Sequence, residues 1–123
     1  MSKSVAVIGA SNDRSKFGNK ALRAFVRQGY VVFAINPHES TVEGQPAYAS
    51  VLDVPGPIDM ATLYVQPEVG VQLMDEIAKK RIAEVWLNPG ADGPAVVARA
   101  EALGIKPIQA CSIIGIGDSP SRY

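Results

Sequence analysis

Histidine, cysteine and tryptophan each occur once in this sequence of 123 residues. A single imidazole, His38, makes neither a metal centre nor a catalytic triad, so both chemistries lack a residue set. Lone Cys111 cannot close an internal disulfide, which fits a reducing, cytoplasmic setting. With no second cysteine or neighbouring histidine to activate it, Cys111 reads as a small buried hydrophobe rather than a nucleophile. Charge imbalance is missing too. Twelve Lys and Arg balance twelve Asp and Glu, so no broad face for nucleic acid or an anionic membrane is expected. No apolar run approaches the roughly 20 residues that span a bilayer. The first residues, Met1-Ser2-Lys3-Ser4, run into a short apolar segment rather than a signal-peptide core. Without linker, repeat or low-complexity stretch, the chain is expected to be one soluble domain, residues 1–123.

What is present alternates between two periodicities. Val5-Ala6-Val7-Ile8 is an unbroken β-prone run that stops at Gly9. A polar loop follows, and Gly18 leads into a helix with Leu22, Phe25 and Val26 on one face and Gly29 past its end. Tyr30–Ile35 predicts a second strand buried on both faces, ended by Asn36-Pro37. Residues 38–57, with Gly44, Pro46, Pro55, Gly56 and Pro57, read as a long connection with a short helical turn at Ser50–Val54. Met60–Val65 predicts a third strand. Pro67 then opens a helix whose buried stripe is Val69 or Gly70, Leu73, Met74 and Ile77. Glu84–Leu87 predicts a fourth strand with Trp86 in the core, Pro94–Leu103 a helix, and Ile105–Gln109 a fifth strand, with Pro107 marking an edge or a strand end. The stretch Ile113–Gly117 takes no clear place. Strands alternating with helices give an α/β, doubly wound, mainly parallel five-stranded sheet. Right-handed crossovers then bring the junctions 9–18, 36–39, 65–67 and 88–93 to one sheet edge, where such folds bind ligands.

The first junction carries the strongest signal for chemistry. It departs from G-x-G-x-x-G: Ser11 stands at the second glycine position, and the next glycine is Gly18. Between Gly9 and Arg23 there are four cations against one anion. The backbone of Gly9, Ala10 and Ser11, the polar Asn12 and Ser15, the cations Arg14 and Lys16, and the helix start at Gly18 together suit a pyrophosphate. At the end of the second strand, a dinucleotide dehydrogenase carries an acid for the ribose hydroxyls. Here stands Asn36, which disfavours NAD, and residues 36–43 hold no arginine for NADP. A ribose that already bears a phosphate is compatible with the missing acid. No acid–base pair or activated nucleophile emerges.

These residues carry a resemblance. Gly9-Ala10-Ser11-x-Asp13-x-x-Lys16-x-Gly18, Gly29-Tyr30-x-Val32, Asn36-Pro37, Gly44, Tyr48, Asp53-Val54-Pro55, Asp59, Pro67 and Trp86 through Gly90 follow one another over residues 3–118. In that order they resemble the CoA-binding domain family. That Rossmann-like module is also the N-terminal domain of succinyl-CoA synthetase α chains and ADP-forming acyl-CoA synthetases. The resemblance implies that the loop from Gly9 to Lys16 holds the CoA pyrophosphate. It implies that Asn36-Pro37 borders the adenosine, with His38 or Glu39 near the phosphorylated ribose, where synthetase relatives commonly carry a lysine that this chain lacks. Val65, Gln66 and Pro67 would flank the adenine or the start of pantetheine, and Asn88, Pro89 and Gly90 the pantetheine arm. The implied function is a stand-alone binder of CoA or acyl-CoA, non-catalytic by itself, that works with a protein partner or as a homo-oligomer. The alternative is a small NAD(P)- or nucleotide-dependent enzyme or enzyme subunit.

Overall fold

In the computed structural model, which describes residues 3–123, the C-terminal ends of six parallel strands come level along one edge. Strand β1 (Ser4–Ile8) is central and is followed by α1 (Phe17–Arg27) and β2 (Val31–Ile35). Two short strands come next, β3 (Thr41–Val42) and β4 (Gln45–Tyr48), then a 3-10 turn at Val51–Asp53. The remainder is β5 (Met60–Leu63), α2 (Pro67–Lys79), β6 (Glu84–Leu87), α3 (Pro94–Ala102), β7 (Ile108–Gln109), α4 (Ser112–Gly115) and a last 3-10 turn at Pro120–Arg122. The sheet order is β3-β4-β2-β1-β5-β6-β7, and only β3 runs antiparallel to its neighbour. Ile8 pairs with Ile35 on one side and Leu63 on the other, and Leu63 pairs with Leu87. The residues after these ends, Gly9, Asn36, Tyr64 and Asn88, therefore share one rim.

Alternation along β1 divides the core between two layers. Val5 and Val7 face α1 and α4, packing with Leu22, Phe25 and Ile113. Ala6 and Ile8 face α2 and α3, packing with Met74, Ile77 and Val96. The chain leaves β1 towards β2 on one side and returns to β5 on the other. This reversal opens the crevice where ligands of doubly wound sheets sit.

The doubly wound, mainly parallel α/β fold is as the sequence predicts, with seven strands rather than five. The two extra strands lie inside the expected long connection. Glu43 and Gly44 both take positive φ (49° and 77°) and turn a hairpin there, whose second strand joins β2 in parallel. Pro46 hid that strand in the sequence. It is tolerated because the ladder of β4 with β2 begins only at Ala47, one residue beyond it. The short turn after Ser50 does form, capped by the Ser50 hydroxyl, which accepts from the Leu52 amide. Strand β2 is not buried on both faces throughout: Val31 is 46% exposed, because β4 reaches only Ala34 and Ile35. Val26 lies 42% exposed, and α1 buries Gly18, Asn19, Ala21 and Ala24 around Leu22 and Phe25 instead. Trp86 is half-buried and donates its indole N–H to Glu84. The fifth predicted strand shrinks to Ile108–Gln109 at the far edge, and the unplaced stretch supplies α4.

Candidate functional site

The loop between β1 and α1 is threaded through a gap with no room for side chains. Gly9 has φ of +91°, and a Cβ there would stand 2.5 Å from the Tyr64 carbonyl oxygen. A Cβ on Gly18 would stand 2.2 Å from the carbonyl oxygen of Gly9. Both glycines thus let the strand end and the helix start approach closely. Within the loop, Ser11 Oγ accepts from the Asp13 amide (3.0 Å), and Asp13 accepts from the amide and hydroxyl of Ser15 (3.0 and 2.6 Å). The Ser15 hydroxyl, then its amide, hold the Asp13 carboxyl below its usual range. Ser11, Asp13 and Ser15 therefore shape the turn.

Lys16 stands at the N-cap of α1 in extended conformation, and no side chain caps that helix. The amides of Phe17 and Gly18 have no backbone partner among the described residues. None of the ion pairs among them engages Lys16. Free amides, the positive end of the helix dipole and one lysine are together the elements of an anion site. They open on a groove of about 300 Å³, whose other wall is Tyr64, Val65, Gln66, Pro89 and Gly90.

Arg14 is not available in the same way. Its Nε and Nη2 meet Glu43 Oε2 and Oε1 at 3.2 and 2.7 Å, tying the loop to the hairpin turn. Asn19, fully buried, donates to the Ser11 carbonyl (2.8 Å) and to Glu43 (2.9 Å) and accepts from Arg23 Nε (2.7 Å). The Arg14 guanidinium, then the Asn19 amide, pull the Glu43 carboxyl down to about 2. Asn12 adds to the clasp: it accepts from the Glu43 amide (3.0 Å) and donates to the Thr41 carbonyl (2.9 Å) and Glu39 (3.3 Å). One of the cations in this loop, Arg14, is thus offset by Glu43, 29 residues further on.

The Asn36 side chain is likewise occupied. Its amide donates to the Ala10 carbonyl (2.8 Å) and its oxygen accepts from the His38 amide (2.7 Å), which fixes the loop to the end of β2. Asn36, Pro37 and His38 still border a second cavity, of about 220 Å³, on the other side of Gly9 and Val65. Its remaining wall comes from residues outside the sequence-predicted set: Ala49, Ser50 and Val51 after β4, and Val69, Leu73, Glu76 and Ile77 on one face of α2. The spacing of Val69 or Gly70, Leu73, Met74 and Ile77 was legible as a buried stripe, in which Gly70, Met74 and Ile77 are buried and Val69 is exposed. Nothing local marked part of that stripe as the wall of a cavity, and nothing marked Glu76 at all.

Asn88 is a buried node. It donates to Thr62 Oγ1 (2.7 Å) and the Leu63 carbonyl (2.9 Å) and accepts from the Ser112 amide (2.8 Å). Ser112 Oγ bonds Thr62 Oγ1 (2.7 Å) and Tyr64 Oη (3.1 Å), and burial pushes the Tyr64 phenol up to about 12. Beside this network a small cavity of about 90 Å³ is lined by Phe17, Tyr64, Asn88, Pro89 and Cys111. Cys111 is half-buried there rather than enclosed.

Of the sequence-predicted residues, Gly9, Lys16, Gly18, Gln66, Pro89 and Gly90 line the groove, Asn36, Pro37 and His38 the second cavity, and Gly9 and Val65 both. Ala10 is buried, Pro67 starts α2, and Ser11, Asn12, Arg14 and Ser15 lie in the outer loop and line neither space.

A family model described as "CoA binding domain" matches residues 3–117. The alpha subunit of an ADP-forming acetate–CoA ligase II from Pyrococcus furiosus is 36% identical over 84 residues, 68% of this chain and 18% of that subunit. The chain spans between 11% and 19% of the length of the ADP-forming ligases it matches. Among solved structures, a conserved hypothetical protein from Pyrococcus furiosus superimposes with a TM-score of 0.83 at 26% identity, covering 94% of this chain and 99% of that one. The dinucleotide-forming acetyl-coenzyme A synthetase 1 of Candidatus Korarchaeum cryptofilum, solved with phosphate and ADP, gives 0.77 at 27% identity over 88% of this chain and 25% of that one.

Proposed function

The chain belongs to the CoA-binding domain family, homologous to that domain of ADP-forming acyl-CoA synthetases, and from this we propose that it binds CoA or an acyl-CoA across the rim of its sheet. The observation that carries the reading is the pair of spaces that meet at Gly9 and Val65, with Lys16 and the uncapped start of α1 beside them. The pyrophosphate lies over the backbone of Gly9 and the amides of Phe17 and Gly18, with Lys16 as its cation. The adenosine enters the apolar cavity beside Asn36, Pro37 and His38. The pantetheine arm leaves along the groove past Gln66, Pro89 and Gly90, towards the small cavity that Cys111 lines.

The role is binding rather than turnover, in a cytoplasmic setting that the lone cysteine fits. A protein partner or a second copy would receive or sense the loaded state. Arg14 stabilises the loop through Glu43 instead of meeting phosphate. Thermal unfolding with CoA, acetyl-CoA, NAD, NADP and ATP tests the proposal, since a ligand at 100 times its dissociation constant stabilises by about 2.7 kcal/mol. A shift with CoA or acetyl-CoA well above the others is expected. A larger shift with NAD or NADP, or none with CoA, would overturn it.

A further inference from the structure

Within the cavity of about 220 Å³, the side chains of Ile8, Ile35, Val65, Val69 and Leu73 provide aliphatic walls. One carboxylate interrupts them, that of Glu76, held at Oε1 by the Ser50 hydroxyl. Ser50 Oγ itself accepts from the Leu52 amide (3.1 Å), so its proton is directed to Glu76. Glu76 Oε2 makes no hydrogen bond among the described residues and is reached by solvent, which an occupant of the cavity would displace. An acceptor in an apolar slot disfavours any occupant that leaves it dry and unpaired, and favours one that brings a donor. Val69, Leu73 and Glu76 follow one another down one face of α2, away from the sheet rim. At 1.5 Å per residue Glu76 lies about 10 Å deeper than Val69 along the helix axis, the depth of a flat base whose sugar stays at the rim.

We infer that Glu76, positioned by Ser50, reads the exocyclic amine of a bound adenine, so that the cavity selects an aminopurine over a purine without that group. The inference rests on the proposed CoA reading for the identity of the base and deepens it. Glu76 Oε2 accepts the N–H of the 6-amino group while the aliphatic walls cover both ring faces. Ser50 acts on the ligand only through Glu76.

The test pairs adenosine with purine riboside, which lacks the 6-amino group, titrated by NMR into the wild-type chain and into Glu76→Gln. The substitution keeps the side chain's size. With its carbonyl left on the Ser50 proton, the amide nitrogen then presents a donor where Oε2 accepted. Adenosine is expected to bind wild type about tenfold tighter than purine riboside, the worth of one charged hydrogen bond, and the two to bind within about twofold in Glu76→Gln. Equal binding of both nucleosides to wild type, or an unchanged preference in Glu76→Gln, would overturn the role of Glu76. CoA titrated in parallel separates the two ideas. CoA binding without that preference overturns the role of Glu76 alone. The preference without CoA binding supports the reading of the amine and overturns the CoA function. Ser50→Ala is expected to shrink the preference partway while binding of purine riboside stays constant, which a merely structural loss would not do.

Discussion

The carbonyl oxygen of Gly9 lies so close to Gly18 that a Cβ at position 18 would stand 2.2 Å from it. Backbone meets backbone there, so neither side can yield by a rotamer change. Gly18→Ala is expected to cost about 1–3 kcal/mol in urea unfolding, the range for overpacking, and to weaken CoA binding by displacing the start of α1. An alanine variant with wild-type stability and affinity would show that the loop adjusts freely.

Lys16 and Arg14 differ in pairing although they lie two residues apart: Arg14 meets Glu43, and no ion pair among the described residues engages Lys16. On the proposed reading, Lys16→Ala removes a charge-assisted phosphate contact worth about 1.5–3 kcal/mol, so CoA affinity by calorimetry is expected to fall tenfold or more, with a weaker salt dependence. Arg14→Ala loses the Glu43 pair and is expected to cost less affinity than Lys16→Ala. The reverse order would move the phosphate to Arg14.

The clasp between loop and hairpin carries a pH signature. With Arg14 and Asn19 bonded to it, the Glu43 carboxyl titrates at about 2 instead of 4.5. A depressed carboxyl contributes stability that is complete above the unfolded value and is lost as pH falls through the folded one. The stability difference between wild type and Glu43→Gln is therefore expected to hold steady above about pH 4.5 and to close towards pH 2. Arg14 is largely exposed, with 67% of its side chain accessible, so solvent screening keeps the difference small. A difference that persists unchanged at pH 2.5 would deny the ion pair its role.

Asn88→Ala strands the Ser112 amide and the Leu63 carbonyl in a buried setting. Unpaired buried groups cost about 1–3 kcal/mol each, so for the two together urea unfolding is expected to register a loss of about 2–6 kcal/mol. A loss below about 0.5 kcal/mol would mean that water replaces the side chain without penalty.

Much of the architecture was written in local pattern. The apolar runs, the glycine and proline stops and the Pro67 helix start depend on neighbours a few residues apart, and periodicity reports such relations directly. They determined the alternation of strand and helix, the meeting of the junctions after β1, β2, β5 and β6 at one rim, and the glycine loop at α1. The tertiary structure alone decided which of those residues stay open to a ligand. Arg14 is tied to Glu43, 29 residues later, and Asn12 to Thr41 at the same separation. Asn36 is spent on Ala10, 26 residues before it, and Ser50 meets Glu76 across 26 residues. Such pairings arise only when the hairpin folds back beside β2 and α2 packs against the turn after β4. Neither hydrophobic period nor turn chemistry encodes which distant polar groups will then meet.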